Sequence, residues 1–400
     1  MQQKDSKTPA SAVGQNPGDL ENPTDEQIRA LVGQLLLVGF EGNAPEPPPA
    51  VAEALGAGDV GGVILFRRNV DTVEQVAALN QRVHELSRDA LAAPFVALDQ
   101  EGGRVVRIKD PLTPIPPMRA LGDMRDARLT ADVSEVIATE VGALGFNLNF
   151  APVLDVDTNP RNPIIGDRAF SDDPIYVCRT AGAFLLGHHV AGVIPCGKHF
   201  PGHGDTLLDS HEDLPVIEHE MSRLRGVELM PFRRMVEAGV PMIMTAHILA
   251  PAIDPDYPAT LSKAAIRGLL RDEFGFQGVV ITDDLEMNAV AERYSIEEMV
   301  ELGLRAGVDI FLICRTQERW QRAHAHLFKL ARENFDDLVR VQRAAERVLD
   351  LKRNLLGNQR RPWAPYPGWQ DVLGNQTHRE IMARIGEERD ESVADPTETD

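Results

Sequence analysis

Eight short apolar runs, separated by longer amphipathic stretches, make up the central part of this 400-residue sequence. Their high content of Val, Ile and Leu is typical of strands buried on both faces, as in a parallel sheet. The stretches between them have helical composition, and several end at glycine, a common residue after a helix. Eight strands alternating with helices predict an α/β fold, a (β/α)8 TIM-type barrel forming a single catalytic domain. The apolar runs end at Phe40, Phe66, Asp99, Val156, Phe200, Ile248, Asp284 and Arg315, and the clearest helical stretches are 72–91, 128–145, 175–192 and 222–239.

An open, doubly wound sheet is the alternative for this alternation. Nucleotide-binding forms of that fold carry a GxGxxG or P-loop motif after the first strand, and neither follows the run ending at Phe40. The barrel is therefore the preferred interpretation. We expect a disordered lead-in at 1–24, the barrel at 25–356, a C-terminal wrap with Trp363, Tyr366 and Trp369 at 357–385, and an acidic disordered tail at 386–400.

Charge and cysteine content restrict the partners and the compartment. The chain carries 61 acidic and 41 basic side chains, a net charge of −20, which argues against nucleic acid or an anionic membrane as partner. The sequence shows neither an apolar signal region near its N-terminus nor a run of about 18 apolar residues. Cys178, Cys196 and Cys314 are widely spaced and predict buried free thiols. We expect a cytoplasmic monomer that acts on a small molecule.

Polar side chains are concentrated where the apolar runs end. Active sites of (β/α)8 barrels lie at the C-terminal ends of the strands, so these residues form the candidate site. Some have a purely structural interpretation: Asp155, Asp157 and Arg161 would cap turns and pair with one another, and His247 would be a hydrogen-bonded core histidine. The candidates are Asp99, Glu101, Asp155, Asp157, Lys198, His199, His247, Asp283, Asp284 and Arg315.

Residues 198–211, KHFPGHGDTLLDSH, hold the densest group of polar side chains. Proline and glycines exclude a regular helix there, so the side chains are predicted to extend from a loop after a strand. One interpretation is a metal hydrolase, although HFPGH lacks the helical HExxH spacing. The other is acid/base chemistry by Asp209 and His211, two residues apart. The metal interpretation would use His199, His203, His211, Asp205 and Asp209 as ligands.

Carboxylates at strand ends suit cleavage of a glycosidic bond. One carboxylate attacks the anomeric carbon, and a second group protonates the departing oxygen. Asp283 lies at the end of the apolar run GVVIT and fits the nucleophile. The acid can be a histidine, because a neighbouring aspartate can tune its pKa to near neutral. The DxH spacing of Asp209 and His211 is by itself weak support, since it occurs by chance in many chains.

Several motifs together resemble the family 3 glycoside hydrolases, and within them the β-N-acetylhexosaminidase branch that acts on bacterial cell-wall fragments. The resemblance covers about residues 28 to 355. Its motifs are DQEGGRVVR from Asp99, FAPVLDV from Phe150, GDRAFSDDP from Gly166, KHFPGHGDT from Lys198, DSH from Asp209, and LLRDEFGFQGVVITDDLEM from Leu269.

The resemblance implies a retaining, exo-acting enzyme that releases terminal β-linked GlcNAc from peptidoglycan-derived fragments, without metal or organic cofactor. Asp283 corresponds to the nucleophile, which would form a covalent glycosyl intermediate, and His211 with Asp209 to the acid/base pair. Glu286 departs from the small residue common three positions after the nucleophile. The sugar-binding positions are Asp99, Arg107, Arg168, Lys198 and His199.

Three other functions remain open from the sequence. A phosphorylase would use phosphate instead of water to resolve the intermediate, and a histidine acid/base would tolerate that anion. A non-catalytic sugar-binding protein would keep only the pocket, and a metal hydrolase would use the histidines. Arg168 could instead form a loop salt bridge, and Lys198 could pair with Asp99 or Asp155.

Overall fold

The computed structural model describes residues 22–206, 214–356, 365 and 367–385. All eight apolar runs form strands within this part of the chain, and two further short strands lie between the third and fourth of them. In chain order the strands are β1 (Leu36–Val38), β2 (Gly62–Ile64), β3 (Phe95–Leu98), β4 (Gln100–Gly102), β5 (Val105–Val106), β6 (Leu148–Asn149), β7 (Ile194–Phe200), β8 (Met242–Thr245), β9 (Val279–Ile281) and β10 (Phe311–Ile313).

The eight main strands are all parallel and form a closed barrel. Their order is β10-β1-β2-β3-β6-β7-β8-β9, and a parallel bridge between Ile281 and Ile310 joins the two ends. The amide of Thr282 donates to the carbonyl of Ile310 at 3.0 Å across this closure. The predicted (β/α)8 barrel is confirmed. The pair β4 and β5 forms a small antiparallel hairpin outside the barrel.

Helices surround the barrel. They are α1 (Asp25–Gly33), α2 (Pro49–Ala57), α3 (Val73–Leu86), α4 (Met118–Met124), α5 (Ala127–Ala143), α6 (Pro174–Ala191), α7 (Met221–Gly226), α8 (Met230–Glu237), α9 (Asn288–Ala291), α10 (Ile296–Ala306), α11 (Gln317–Glu333), α12 (Phe335–Leu351) and α13 (Gln376–Ala383), with π-helical turns at Ala264–Glu273 and Lys352–Leu356. The helices predicted within 72–91, 128–145 and 175–192 are confirmed. The stretch 222–239 instead forms two helices, because Pro231 suits the start of a helix but would clash with the preceding turn inside one.

The barrel interior is packed with apolar side chains, including Leu37, Phe95, Leu148 and Met242. Lys352 is buried beside them, where its ammonium lies 4.5 Å from the centre of the Phe95 ring and donates to two oxygens. Burial lowers the pKa of Lys352 to about 7. Cys196 and Cys314 are buried and Cys178 is half-buried, and all three are free thiols.

The C-terminal segment 367–385 is anchored to the barrel through Glu140 of α5. This buried carboxylate accepts hydrogen bonds from the amide and hydroxyl of Thr113, the amide of Gly374 and His378 Nδ1, at 2.6 to 2.8 Å. Two of the four donors therefore belong to residues beyond the barrel. The domain boundaries given above stay a prediction. In the described part of the chain, every helix is too short or too polar to cross a membrane.

Candidate active site

The C-terminal ends of the barrel strands surround a cavity of about 390 Å³. It is the place where a barrel of this kind is expected to hold its site. The predicted nucleophile Asp283 and all five predicted sugar-binding residues line it, and they come from different strands and loops. The charged side chains and histidines of the lining are Asp99, Arg107, Arg168, Lys198, His199, His203, Asp283, Asp284, Glu286, Arg68, Arg315 and Arg319.

A buried network of five charged groups forms one wall of the cavity. Lys198 Nζ donates to Asp99 Oδ1 at 2.7 Å and lies 2.6 Å from Glu101 Oε1. Arg107 Nη2 donates to Asp99 Oδ2 at 3.0 Å. Arg168 holds both oxygens of Glu101, with Nε at 2.9 Å and Nη2 at 2.8 Å. Arg168 and Lys198 thus form the salt bridges that their structural interpretation predicts, and both side chains also line the cavity.

Each charged group in this network stabilises the ionised form of its oppositely charged neighbours. Burial opposes ionisation of Asp99 and Glu101, but the neighbouring Lys198, Arg107 and Arg168 outweigh it and hold the pKa of both carboxyls below the ordinary range. Burial likewise opposes the charge on Lys198, and the two carboxylates still raise its pKa. All five groups are therefore ionised at neutral pH. Three cations and two anions leave one positive charge in excess at this wall.

The hairpin β4–β5 explains why the sequence QEGGRVVR brings Arg107 back to Asp99. Gly102 and Gly103 have φ of +115° and +57° and form the turn that reverses the chain between β4 and β5. Residues other than glycine adopt these backbone angles only with strain. The side chain of Gln100 then holds the hairpin, because its Oε1 accepts the amide of Arg107 at 2.9 Å. Glu101 points from the same hairpin toward Arg168. The hairpin thus brings Arg107 to the cavity lining beside Asp99 and places Glu101 against Arg168.

His199 lies near the end of β7 and His203 just beyond it, and Asp155 holds both residues. His199 Nδ1 donates to Asp155 Oδ2 at 2.7 Å, and the amide of His203 donates to Asp155 Oδ1 at 2.6 Å. A carboxylate at Nδ1 favours the tautomer that leaves Nε2 without the proton. Burial lowers the pKa of His203 to about 4, so this ring is neutral at neutral pH. Gly204 lets the loop pass close to the segment that follows β6, since a Cβ there would lie 1.8 Å from the carbonyl oxygen of Val156.

Asp283 lies at the end of β9 and lines the cavity together with Asp284. Its amide donates to the carbonyl of Thr245 at 3.2 Å, and its Oδ1 accepts the amide of Asp284 at 2.8 Å. Burial, reinforced by the negative charge of Glu286, raises the pKa of Asp284 to about 7. Both aspartates face the cavity, as the sequence required of at least one of them.

Beside β2 and β10 the cavity is lined by Arg68 and Arg315, and only Arg315 was among the candidates from the sequence. Arg68 lies 4.3 Å from the centre of the Phe66 ring and donates to the carbonyl of Cys314, and Arg315 pairs with Glu41 at 2.9 Å. Arg68 follows the apolar run ending at Phe66 by two residues, so inspecting the residues just beyond each strand end would have found it. Glu286 accepts the amide of Arg315 at 2.5 Å, which links β9 to this wall.

Other predicted residues have distinct positions. Asp209 and His211 lie outside the described residues. His247 is buried and forms hydrogen bonds with Thr260 and the carbonyl of Asp284, each at 2.8 Å, as expected of a core histidine. Asp157 pairs with Arg119, not with Arg161 as the sequence suggested.

Residues 198–206, the described part of the stretch 198–211, give little support to a metal site formed by its histidines. His199 Nδ1 is engaged by Asp155, and His203 Nδ1 by the hydroxyl of Thr206 at 2.8 Å. The group of possible metal ligands formed by the described residues contains Asp205 but neither of these histidines.

Comparisons with known proteins agree with this fold. Residues 27–351 match the family described as the glycosyl hydrolase family 3 N-terminal domain. The β-hexosaminidase of Thiobacillus denitrificans is 43% identical over 266 residues, which are 65% of this chain and 72% of that protein. β-Hexosaminidase A of Pseudoalteromonas piscicida is 32% identical over 89% of this chain and 65% of its own length.

Solved structures show the same likeness. A family 3 β-N-acetylglucosaminidase from Paenibacillus sp. superimposes with a TM-score of 0.83 at 38% identity, covering 89% of this chain and 68% of that one. NagZ from Neisseria gonorrhoeae, solved with N-trifluoroacetyl-D-glucosamine, gives a TM-score of 0.72 at 31% identity, covering 88% of this chain and 97% of that one. The family match spans most of the chain and coincides with the barrel that carries the site. The chain therefore belongs to glycosyl hydrolase family 3, and it is a glycoside hydrolase.

Proposed function

We propose that this family 3 glycoside hydrolase is a retaining, exo-acting β-N-acetylhexosaminidase that releases terminal β-linked GlcNAc from peptidoglycan-derived fragments. The observation that carries the proposal is the buried network of Asp99, Glu101, Arg107, Arg168 and Lys198, of which all but Glu101 line one cavity together with Asp283.

The network suits recognition of a sugar. A carboxylate such as Asp99 accepts hydrogen bonds from two hydroxyl groups, whereas Arg and Lys donate to sugar oxygens. Because each charged side chain is held by at least one other, the groups are ordered before substrate arrives, and binding costs little side-chain entropy. Arg107, Arg168, Lys198 and His199 would then position one terminal sugar, while apolar side chains such as Phe66 and Phe150 form other parts of the lining.

Asp283 is the proposed nucleophile. It lies just beyond the end of β9 and faces the cavity, and its backbone amide donates a hydrogen bond to the carbonyl of Thr245. Attack on the anomeric carbon would give a covalent glycosyl ester, and the second displacement by water would restore the original anomeric configuration. Asp284, with its raised pKa, would carry less negative charge and so compete less for the developing cation.

His211, oriented by Asp209, is the proposed acid/base. It would protonate the departing oxygen in the first step and take a proton from water in the second. Both residues lie outside the described part of the chain, so this assignment rests on the resemblance of DSH to the family motif.

The relatives support the choice of an amino sugar. The curated relatives are named β-hexosaminidases, and the solved neighbours include β-N-acetylglucosaminidases and a NagZ complexed with an N-acylated glucosamine. The cell-wall origin of the substrate and the cytoplasmic location stay predictions. Cell fractionation and activity on purified muropeptide fragments would test them.

Asp283→Ala is the direct test of the nucleophile. We expect hydrolysis of nitrophenyl β-GlcNAc to fall by roughly a thousandfold or more, because no other group forms the covalent intermediate. The exposed Asp350→Asn serves as control and should keep the full rate, since Asp350 lies on the surface, where it pairs with Arg353. An Asp283→Ala enzyme that retains the wild-type rate would exclude Asp283 as nucleophile.

His211→Ala tests the acid. The variant should lose more activity on substrates with poor leaving groups than on activated nitrophenyl glycosides, because protonation matters most for a poor leaving group. Equal losses on both substrates would count against His211. Running the wild-type reaction with added inorganic phosphate separates the two activities still open: GlcNAc as product indicates a hydrolase, and GlcNAc 1-phosphate a phosphorylase.

A further inference from the structure

We propose that Asp205, His219 and Glu228 form a binding site for a divalent cation of the zinc class, separate from the sugar cavity. One ligand atom from each of the three residues lies within 4.8 Å of the other two. None of the three lines the cavity that holds Asp283.

Three different segments build the group, and each is held independently. Asp205 follows β7, and its Oδ1 accepts the hydroxyl of Thr158 at 3.1 Å. His219 precedes α7, in a stretch paired with the backbone of Leu249. Glu228 lies in the turn between α7 and α8. The side chains therefore converge because the fold brings their segments together, and local sequence alone does not place them.

Glu228 supplies the observation that points to a cation. Its side chain is only 2% exposed, and its Oε1 accepts Arg223 Nη2 at 3.0 Å. Oε2 is buried and has no hydrogen-bond partner within the described residues. A buried carboxylate oxygen without a partner is unfavourable, because nothing replaces the hydrogen bonds it would make with water. A metal ion beside Asp205 and His219 would remove this cost.

The ligand chemistry suits zinc. One imidazole and two carboxylates are common zinc ligands, and a fourth position would be filled by water. His219 and Asp205 are in direct contact through Nε2 and Oδ2, and they are 33% and 21% exposed, which leaves an approach from solvent. With neutral His219, the two carboxylates and Arg223 sum to one negative charge, which favours a divalent cation.

A simpler arrangement competes with this one. Protonated His219 could form an ion pair with Asp205, while a rotation of Arg223 would bring its Nε onto Oε2 of Glu228; this Nε is also buried and has no partner among the described residues. That arrangement needs no metal. The two arrangements differ in what Glu228 does, so Glu228→Gln separates them.

The test is a calorimetric titration of the full-length, chelator-treated protein with zinc chloride, accompanied by thermal unfolding with and without zinc. We expect one zinc site that Glu228→Gln and His219→Ala each weaken at least about tenfold, with loss of the zinc-dependent rise in Tm. His326→Ala is the matched control. It removes another half-buried histidine paired with a carboxylate, Glu301, at 2.9 Å, which belongs to no three-ligand group among the described residues.

Two outcomes would overturn the proposal. One is zinc binding of equal affinity and stoichiometry in the wild type, Glu228→Gln and His219→Ala. The other is a wild-type protein that binds no zinc, with Glu228→Gln lowering the Tm in zinc-free buffer, as expected if Arg223 is the true partner. Neither outcome depends on whether the enzyme cleaves GlcNAc glycosides.

Discussion

Replacing Glu101 by glutamine should destabilise the protein far more than the same change in a surface ion pair. The Glu101 side chain is 1% exposed and neutralises both Arg168 and Lys198. Glutamine keeps one acceptor oxygen but removes the charge, so the network changes from one excess positive charge to two. Removing one partner of a buried ion pair costs about 3 to 5 kcal/mol. We expect a loss of that size in the free energy of unfolding at pH 7.

The assay is equilibrium unfolding in urea of the wild type and two variants. Glu297→Gln is the matched control, because Glu297 makes the same two-pronged contact with Arg322, both bonds at 2.9 Å, but on the surface. Exposed pairs contribute about 0 to 1 kcal/mol. Equal losses in the two variants would refute the argument that burial gives the Glu101 network its importance.

The pH dependence provides a second check on Glu101. In the folded protein Arg168 and Lys198 hold the pKa of this carboxyl below that of an ordinary glutamate, despite burial. A depressed pKa contributes stability that is complete above the unfolded value and is lost as the pH falls through the folded value. An unfolded glutamate titrates near pH 4.3, so the difference between wild type and Glu101→Gln should be constant above about pH 5 and shrink in acid.

Two further predictions concern Asp284 and Gly204. Because the pKa of Asp284 is raised to about 7, the contribution of this carboxyl to stability is complete below about pH 4 and is lost as the pH rises through 7. The Asp284→Asn variant should therefore show a shallower decline in Tm between pH 4 and pH 7 than the wild type. An unchanged slope would contradict the raised pKa. Gly204→Ala places a Cβ 1.8 Å from the carbonyl oxygen of Val156 and should lower the Tm and the activity. The control Gly226→Ala has no atom within 4 Å of the new Cβ and should change neither. Equal Tm values for the two variants would show that the backbone around Gly204 adjusts to a side chain without loss of stability.

The barrel could be predicted because each of its strands carries its own local signal. A strand buried on both faces must be apolar throughout, so runs such as GGVILF and GVVIT are recognisable without knowledge of their neighbours. The break in 222–239 was also encoded locally, by Pro231, but amphipathic periodicity continues across it and concealed the boundary. Strand ends then identified most of the cavity lining, because parallel barrels bring those ends together.

Side-chain pairing was harder to predict, since it joins residues that are distant in the chain. Glu101 and Arg168 are 67 residues apart, and nothing near either one indicates the other. Asp155 could equally have capped a turn, and only the folded backbone shows that it holds His199. His219 and Glu228 carry no motif, so their proximity to Asp205 emerges from the arrangement of three loops.

The anchoring of the C-terminal segment has a practical consequence for trimming this enzyme. The family match ends at residue 351, and a chain cut there would keep every barrel strand. It would also strip Glu140 of Gly374 and His378, leaving a carboxylate with only Thr113 inside a protein interior. We therefore expect a chain cut where the family match ends to be less stable than the full chain, and replacing Glu140 as well should recover part of that loss.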